Sequence, residues 1–322
     1  MKRVLVLINE LSDTPSPDEQ DVLDQANIVE ETLVNLGYDT VRSYMGLDLA
    51  KTRRNIVDSG ADIVFNLVES IDNKAELIHL PPALLQSMRV PFTGSGAEAM
   101  FLTSNKRVAK SIMLSNGIAT PKWYRASDSW QASNNRKYIV KPVFEDASVG
   151  IDDNSVFNGK EPEKLVEYGL RFGKNFFVEE FIEGREFNLS IIAGDDGPSV
   201  LPPAEIIFTN YPKGKPNIVG YQAKWEVSSF EYLNTPRTFD FNEEEAGLLD
   251  KLRDITVKCW NLFDLKGYAR VDFRVDGDGK PYVLEVNANP CISSDSGFYA
   301  ATQKAEIPFS EVIEKILNDC DR

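Results

Sequence analysis

The most constraining stretch is "GYARVDFRVDGDGKPYVLEVNANPC", residues 267–291. Two β-prone runs, "YARVDFRV" and "KPYVLEVN", flank "DGDG", and Asp-Gly between alternating runs is a strong hairpin signal. The expected register sets Val275 opposite Lys280, Asp272 opposite Val283 and Arg270 opposite Glu285. Because side chains alternate along a strand, Val271, Phe273, Val275, Tyr282, Leu284 and Val286 are expected on one face. Arg270, Asp272, Arg274, Glu285 and Asn287 then share the other. Alternation alone fits a surface hairpin with one solvated face. The residue types point further. Asp272, Glu285 and Asn287 offer oxygen ligands within cross-strand reach, a set suited to a hard cation such as Mg²⁺ at roughly 2.1 Å. An arginine beside them suits phosphate, whose geometry it matches. The chemistry suggested is phosphoryl transfer assisted by one or two metal ions.

Composition narrows the class. The 322-residue chain can hold two or three domains. Its net charge of −15 disfavours a nucleic-acid partner. "MKRVLVLINE" is too short for a signal-peptide core, and no stretch approaches the roughly 20 apolar residues of a membrane span. A soluble, cytoplasmic protein is expected. Cys259, Cys291 and Cys320 form no C-x-x-C pair, which leaves no sign of a disulfide framework or structural zinc. The single histidine, His79, reads as a packed or partly exposed helix residue, so His-based triads are disfavoured.

The expected fold is mixed α/β and α+β in three parts. Residues 1–95 alternate strand and helix, with buried-strand runs "RVLVLI" and "ADIVFNLVE" implying a small Rossmann-like parallel sheet. Val22, Ala26, Val29, Leu33 and Leu36 recur at helical spacing, and Gly37 stops that helix. No G-x-G-x-x-G follows the first strand, so the dinucleotide fingerprint is missing. Residues 96–184 read as a small α+β unit, opening with a helix that runs to about Asn116. Residues 185–322 read as a larger α+β unit containing the hairpin. Within it, "TNYPKGKPNIVGYQAKW" (209–225) reads as a long loop of the type that covers a site.

Phosphate handling needs further cations, and Lys106, Lys141 and Lys224 are the candidates, although each alone is as readily a solvated lysine. With these residues in view, the chain resembles the ATP-grasp superfamily and, within it, the D-alanine–D-alanine ligases. The resemblance rests on "TGSGAEAMFLTSNKRVAK", "IVKPVFEDASVGI", "VEEFIEGREFNLSI", "LPPAEI", "YQAKW" and the hairpin, in order over about residues 90–300. It implies an ATP-grasp architecture and an ATP-dependent carboxylate–amine ligase acting through an acyl phosphate. Asp272, Glu285 and Asn287 would hold two Mg²⁺ ions (or Mn²⁺) between the phosphates of ATP. Lys106 and Lys141 would contact the phosphates, and Lys224 the γ-phosphate. Glu179 would meet the adenine amino group, with Glu180, Phe181 and Ile182 completing that pocket and Glu186 taking the ribose hydroxyls. Arg270 would stabilise the acyl phosphate and the later oxyanion, and Ser296 would hold a substrate carboxylate. Family members are commonly dimers, so a homodimer is expected.

The departures concern the substrates. The family's Glu-Gly-Ser-Ser loop is Glu145-Asp146-Ala147-Ser148 here, and Trp225 replaces a tyrosine. Glu10 and Glu19 follow the first strand, but neither aligns with the family's substrate-gripping glutamate. Cys291 stands where a glycine approaches the oxyanion, which narrows the pocket. A nucleophilic role for Cys291 is disfavoured, because no histidine lies near it in sequence. Glu69 is a candidate contact for a substrate amine, a cap or plain exposure being equally compatible. Substrates are therefore expected to be amino acids or small peptides other than two D-alanines. The alternatives are a true D-alanine–D-alanine ligase, a nucleotide-binding protein without ligase activity, and a phosphotransferase.

Overall fold

In the computed structural model of the protein, strand Arg3–Asn9 is the centre of a parallel sheet, flanked by Asp39–Met45 and Ile63–Asn66. The structure describes residues 2–125, 133, 135–144, 148–161, 163–172 and 175–321. Val4 to Ile8 are fully buried, as a β-branched run between two layers requires. The helix Pro17–Asn35 starts at a capping box in which Ser16 and Glu19 satisfy each other's ends, and it buries Val22, Ala26, Val29 and Leu33. Gly37 takes φ +86° just beyond it.

That helix does not close a private core. Val22, Val29 and Phe65 join Tyr268, Phe298, Val312 and Ile316 in one cluster, so the first and last parts of the chain are packed into each other. A four-stranded antiparallel sheet forms the middle part, in the order Trp123–Arg125, Phe176–Glu180, Lys137–Pro142, Val156–Asn158. Its own small core holds Tyr138, Val140, Phe157, Tyr168, Phe176 and Val178. The third sheet is antiparallel and runs Arg237–Thr238, Ala204–Ile206, Arg185–Ile192, Tyr268–Val275, Pro281–Asn287, with Ser199–Val200 beside Arg185–Ile192.

Two local expectations change. The helix expected up to Asn116 is broken at Asn105, whose extended backbone (φ −83°, ψ 93°) ends Ala97–Ser104 and whose side chain caps Lys106–Ser115. Ala99, Met100, Ala109 and Met113 of these helices lie in the core of the third sheet.

The hairpin register also differs. Val275 pairs with Pro281, Asp272 with Glu285 and Arg270 with Asn287. Between Asp272 and Phe273 the partner jumps from Glu285 to Val283, leaving Leu284 as the extra residue of a β-bulge. The bulge puts Val283 (1% exposed) in the core with Val271, Phe273, Val275 and Val286, and removes Tyr282 and Leu284 from the expected apolar face. Strict alternation cannot anticipate an extra residue, because a bulge reverses facing from that point onward.

Candidate active site

The three sheets enclose one large cavity of about 1260 Å³. The hairpin's polar face forms its floor. The bulge brings Asp272 directly opposite Glu285, two carboxylates that ideal alternation would have placed on a diagonal. Arg270 grips Asp272 through Nε (2.8 Å) and Nη2 (2.9 Å), and Asn188 Nδ2 donates to the same carboxylate at 2.8 Å. Asn287 Oδ1 accepts the Asn289 backbone N–H at 2.9 Å. Burial works against the charge of Glu285, but Lys106, Lys224, Lys141 and Arg270 outweigh it and hold its pKa at about 2. Two carboxylates and an amide oxygen on one face fit a hard divalent cation. No group of three His, Cys, Asp or Glu side chains able to hold a metal occurs among the described residues, so Asn287, phosphate and water would complete the shell.

Cations face this floor. Lys106 opens its helix, is 4% exposed and stands 3.6 Å from Glu285. Lys141, at the end of its strand, pairs with Glu179 at 2.7 Å. Glu179 is only 1% exposed and also pairs with Lys110 at 2.8 Å. Lys110 is fully surrounded and donates further to Thr120 Oγ1 (2.9 Å) and the Leu284 carbonyl (2.8 Å). Burial opposes the Glu179 charge, yet the two lysines hold its carboxyl below the usual range. The Glu179 carboxylate, expected at an adenine amino group, thus sits on the cavity wall between two ammonium groups.

Glu180, Phe181, Ile182 and Glu186 line the same cavity. Glu180 pairs with Arg136 at 2.5 Å, and Glu186 with Arg274 at 2.7 Å. The Arg274 guanidinium lies over the rings of Phe181 (5.4 Å) and Phe208 (5.6 Å). Burial raises the Glu186 pKa despite Arg274. Lys224 lies on the short helix Tyr221–Trp225, where burial and then neighbouring Arg270 push its pKa down. The segment before it is tied across the cavity: Arg274 donates to the Asn217 carbonyl, and Ser148 Oγ to the Val219 carbonyl at 2.8 Å.

The same cavity is also lined by Glu69, Trp225, Cys291 and Ser296. Cys291 Sγ is 2.9 Å from both Asp21 Oδ2 and Ser293 Oγ. Burial, then Asp21, pushes the thiol well above its usual pKa, so it is protonated and no nucleophile at neutral pH. Glu69 accepts from Gln25 Nε2 at 2.8 Å. Ser296 Oγ caps the helix Gly297–Lys304 by accepting from Tyr299 N at 3.1 Å. Of the two glutamates after the first strand, Glu19 reaches this cavity, whereas Glu10 pairs with Lys51 at 2.8 Å elsewhere. Glu145, Asp146 and Ala147 lie outside the described residues. His79 is half-buried, edge-on to Phe101 with ring centroids 5.3 Å apart.

Sequence reasoning missed Lys110, Asn188, Leu284 and Asp21. Lys110 carried a usable signal, since it lies one helical turn beyond Lys106. The others come from separate elements joined only by folding.

Comparison with known proteins identifies the family and the fold. Residues 116–318 match the family model described as D-ala D-ala ligase C-terminus. An uncharacterized protein of Sinorhizobium fredii is 30% identical over 81% of this chain and 75% of its own length. The D-alanine–D-alanine ligase of Carboxydothermus hydrogenoformans is 28% identical over 94% of each chain. The crystal structure of the Bacillus anthracis D-alanine–D-alanine ligase complexed with ATP has the same fold, with a TM-score of 0.77 at 20% identity over 100% of this chain and 98% of that one. The chain therefore belongs to the D-alanine–D-alanine ligase-like family and is an ATP-grasp ligase that forms C–N bonds.

Proposed function

We propose that this ATP-dependent ligase joins amino acids or small peptides other than two D-alanines, by way of an acyl phosphate. The observation that carries the reading is the make-up of one cavity lining. Lys106, Lys141, Lys224 and Arg270 act together on Glu285. Cys291, Trp225, Asp21 and Glu69 line the same cavity and differ from the family's usual substrate residues.

Asp272, Glu285 and Asn287 would hold Mg²⁺, which supplies charge neutralisation along the phosphates of ATP. Lys106, Lys141 and Lys224 would orient those phosphates, with Phe181, Ile182 and Leu284 around the base and Glu186 toward the ribose. A substrate carboxylate oxygen attacks the γ-phosphorus and ADP departs, leaving an acyl phosphate. The neutral amine of the second substrate attacks the acyl carbon, and inorganic phosphate leaves from the tetrahedral species, taking up the proton that the amine gives off. Arg270 stabilises the negative charge of both stages. Ser296 would hold a substrate carboxylate, and Glu69 a substrate ammonium group. Cytoplasmic residence and a homodimer belong to the same reading.

The test is ADP and phosphate release with Mg-ATP and pools of L- and D-amino acids and dipeptides, followed by mass spectrometry of the product. A condensed product other than D-Ala-D-Ala is expected. D-Ala-D-Ala as the preferred product overturns the substrate reading, and nucleotide turnover that yields only a phosphorylated substrate overturns the condensation step.

A further inference from the structure

Among the described residues that line the cavity, four are arginines, and three of them are paired with carboxylates of the chain. Arg171 meets Asp152 at 3.1 Å, Arg270 meets Asp272 at 2.8 Å and Arg274 meets Glu186 at 2.7 Å. Arg237, on the edge strand Arg237–Thr238, makes no ion pair among the described residues. Its Nη1 donates to the carbonyls of Asp295 and Ser296, each at 3.2 Å. Asp295 Oδ1 accepts from Ser293 Oγ at 2.8 Å instead. Nε and Nη2 of Arg237 make no hydrogen bond among the described residues.

The placement is unfavourable for a charge. Arg237 is exposed where it lines the cavity, yet desolvation and then the like charge of Arg270 lower its pKa. A tie to two backbone carbonyls needs only a neutral donor, so the tie alone does not account for a guanidinium there. The edge left over, Nε with Nη2, is the planar fork that takes both oxygens of a carboxylate. Ser296 is already read as the holder of one substrate carboxylate. The carboxylate of the first substrate is consumed by phosphorylation, so the one held by Ser296 belongs to the amine-bearing substrate. Arg237 is anchored on the Ser296 carbonyl, not on its hydroxyl, and so offers a second anion site beside the first.

We propose that Arg237 is a specificity residue that pairs with a second carboxylate, in the side chain of the amine-bearing substrate, so that the preferred acceptor is a dicarboxylic amino acid. This rests on the role of Ser296 given under Proposed function. Arg237 would touch the substrate but take no part in making the bond.

The experiment compares glutamate with glutamine, and aspartate with asparagine, in both enantiomers, as acceptors for the full-length protein, Arg237→Ala and Arg237→Lys. Each acid and its amide differ in charge and hardly in shape. Phosphate release with Mg-ATP and a pool of neutral amino acids as first substrates gives kcat/KM, and mass spectrometry identifies the product. The native protein is expected to favour the acid over its amide by about 10- to 100-fold, as charge-assisted hydrogen bonds allow. Arg237→Ala should bring that ratio to about one, and Arg237→Lys should keep part of it, since lysine retains the charge without the fork. A merely structural tie would lower acid and amide alike and leave the ratio standing. A native preference for neutral acceptors, or a ratio that survives Arg237→Ala, overturns the proposal while the ligase reading stands. Absence of condensation with every acceptor refutes the substrate reading instead. Calorimetric titration of glutamate and glutamine into the native protein and Arg237→Ala, with Mg-ADP present, then still decides: equal native affinities for acid and amide end the proposal, and an acid preference lost in the variant supports it.

Discussion

Replacing Glu179 with glutamine tests the electrostatics of the Lys110–Glu179–Lys141 cluster most directly. The change keeps the shape but removes the one negative charge between Lys110 and Lys141, at 2.8 and 2.7 Å. Removing one partner of a buried pair typically costs about 3–5 kcal/mol, because the remaining charge stays desolvated. At roughly 2 °C per kcal/mol for a chain of this size, melting should fall by about 6–10 °C near pH 7. The deficit should depend on pH with a definite sign. Glu179 has its folded pKa below 4.5, so its contribution is complete above that value and is lost as pH falls through the folded pKa. Lys110 has its folded pKa below 10.5, so between the folded pKa and 10.5 the unfolded chain binds the proton more readily and stability rises with pH. Without Glu179 that depression deepens, so the deficit should be largest around neutrality and shrink toward pH 10. Adding Lys110→Met should recover part of the loss by removing an unpaired charge. Scanning fluorimetry from pH 4 to pH 10 reads all of this. A deficit below about 1 kcal/mol, or one flat with pH, would refute the argument that the lysines depend on Glu179.

Other expectations are simpler to check. Asp272→Ala or Glu285→Gln should lower turnover by about three orders of magnitude, since each would remove a metal ligand; full activity in steady-state assays would sink the metal assignment. Gly184→Ala should destabilise by about 3 kcal/mol or more, because Gly184 holds φ +145° and a Cβ there would overlap the Val275 carbonyl; an unchanged unfolding midpoint contradicts that. Cys291→Ser should retain turnover within about threefold, and the native thiol should alkylate slowly at pH 8 because it is held protonated. Rapid reaction with iodoacetamide would argue for a reactive cysteine.

Much of the architecture was legible in the residues. Hydrophobic periodicity in 1–95 specified the parallel sheet, since β-branched runs and the Val22–Leu33 stripe admit few other packings. The hairpin's polar face was legible as well, because strand alternation puts Arg270 and Asp272 on one face and cross-strand pairing brings Glu285 to it. What went astray was register. Leu284 is an ordinary strand residue in sequence, and nothing local marks it as the extra residue that sets Asp272 against Glu285.

By itself, the sequence determined which side chains exist to do chemistry and on which strands and helices they travel, because propensity and alternation are local. Tertiary structure alone decided that Lys110 would meet Glu179 beneath the hairpin, that Tyr221 would meet Asp18, and that Cys291 would lie against Asp21 rather than beside a base. Those encounters join residues tens to hundreds of positions apart. They are settled by how distant elements pack together, and the neighbours met there then set the charge state: two lysines keep Glu179 ionised against its burial, while burial and Asp21 keep Cys291 protonated.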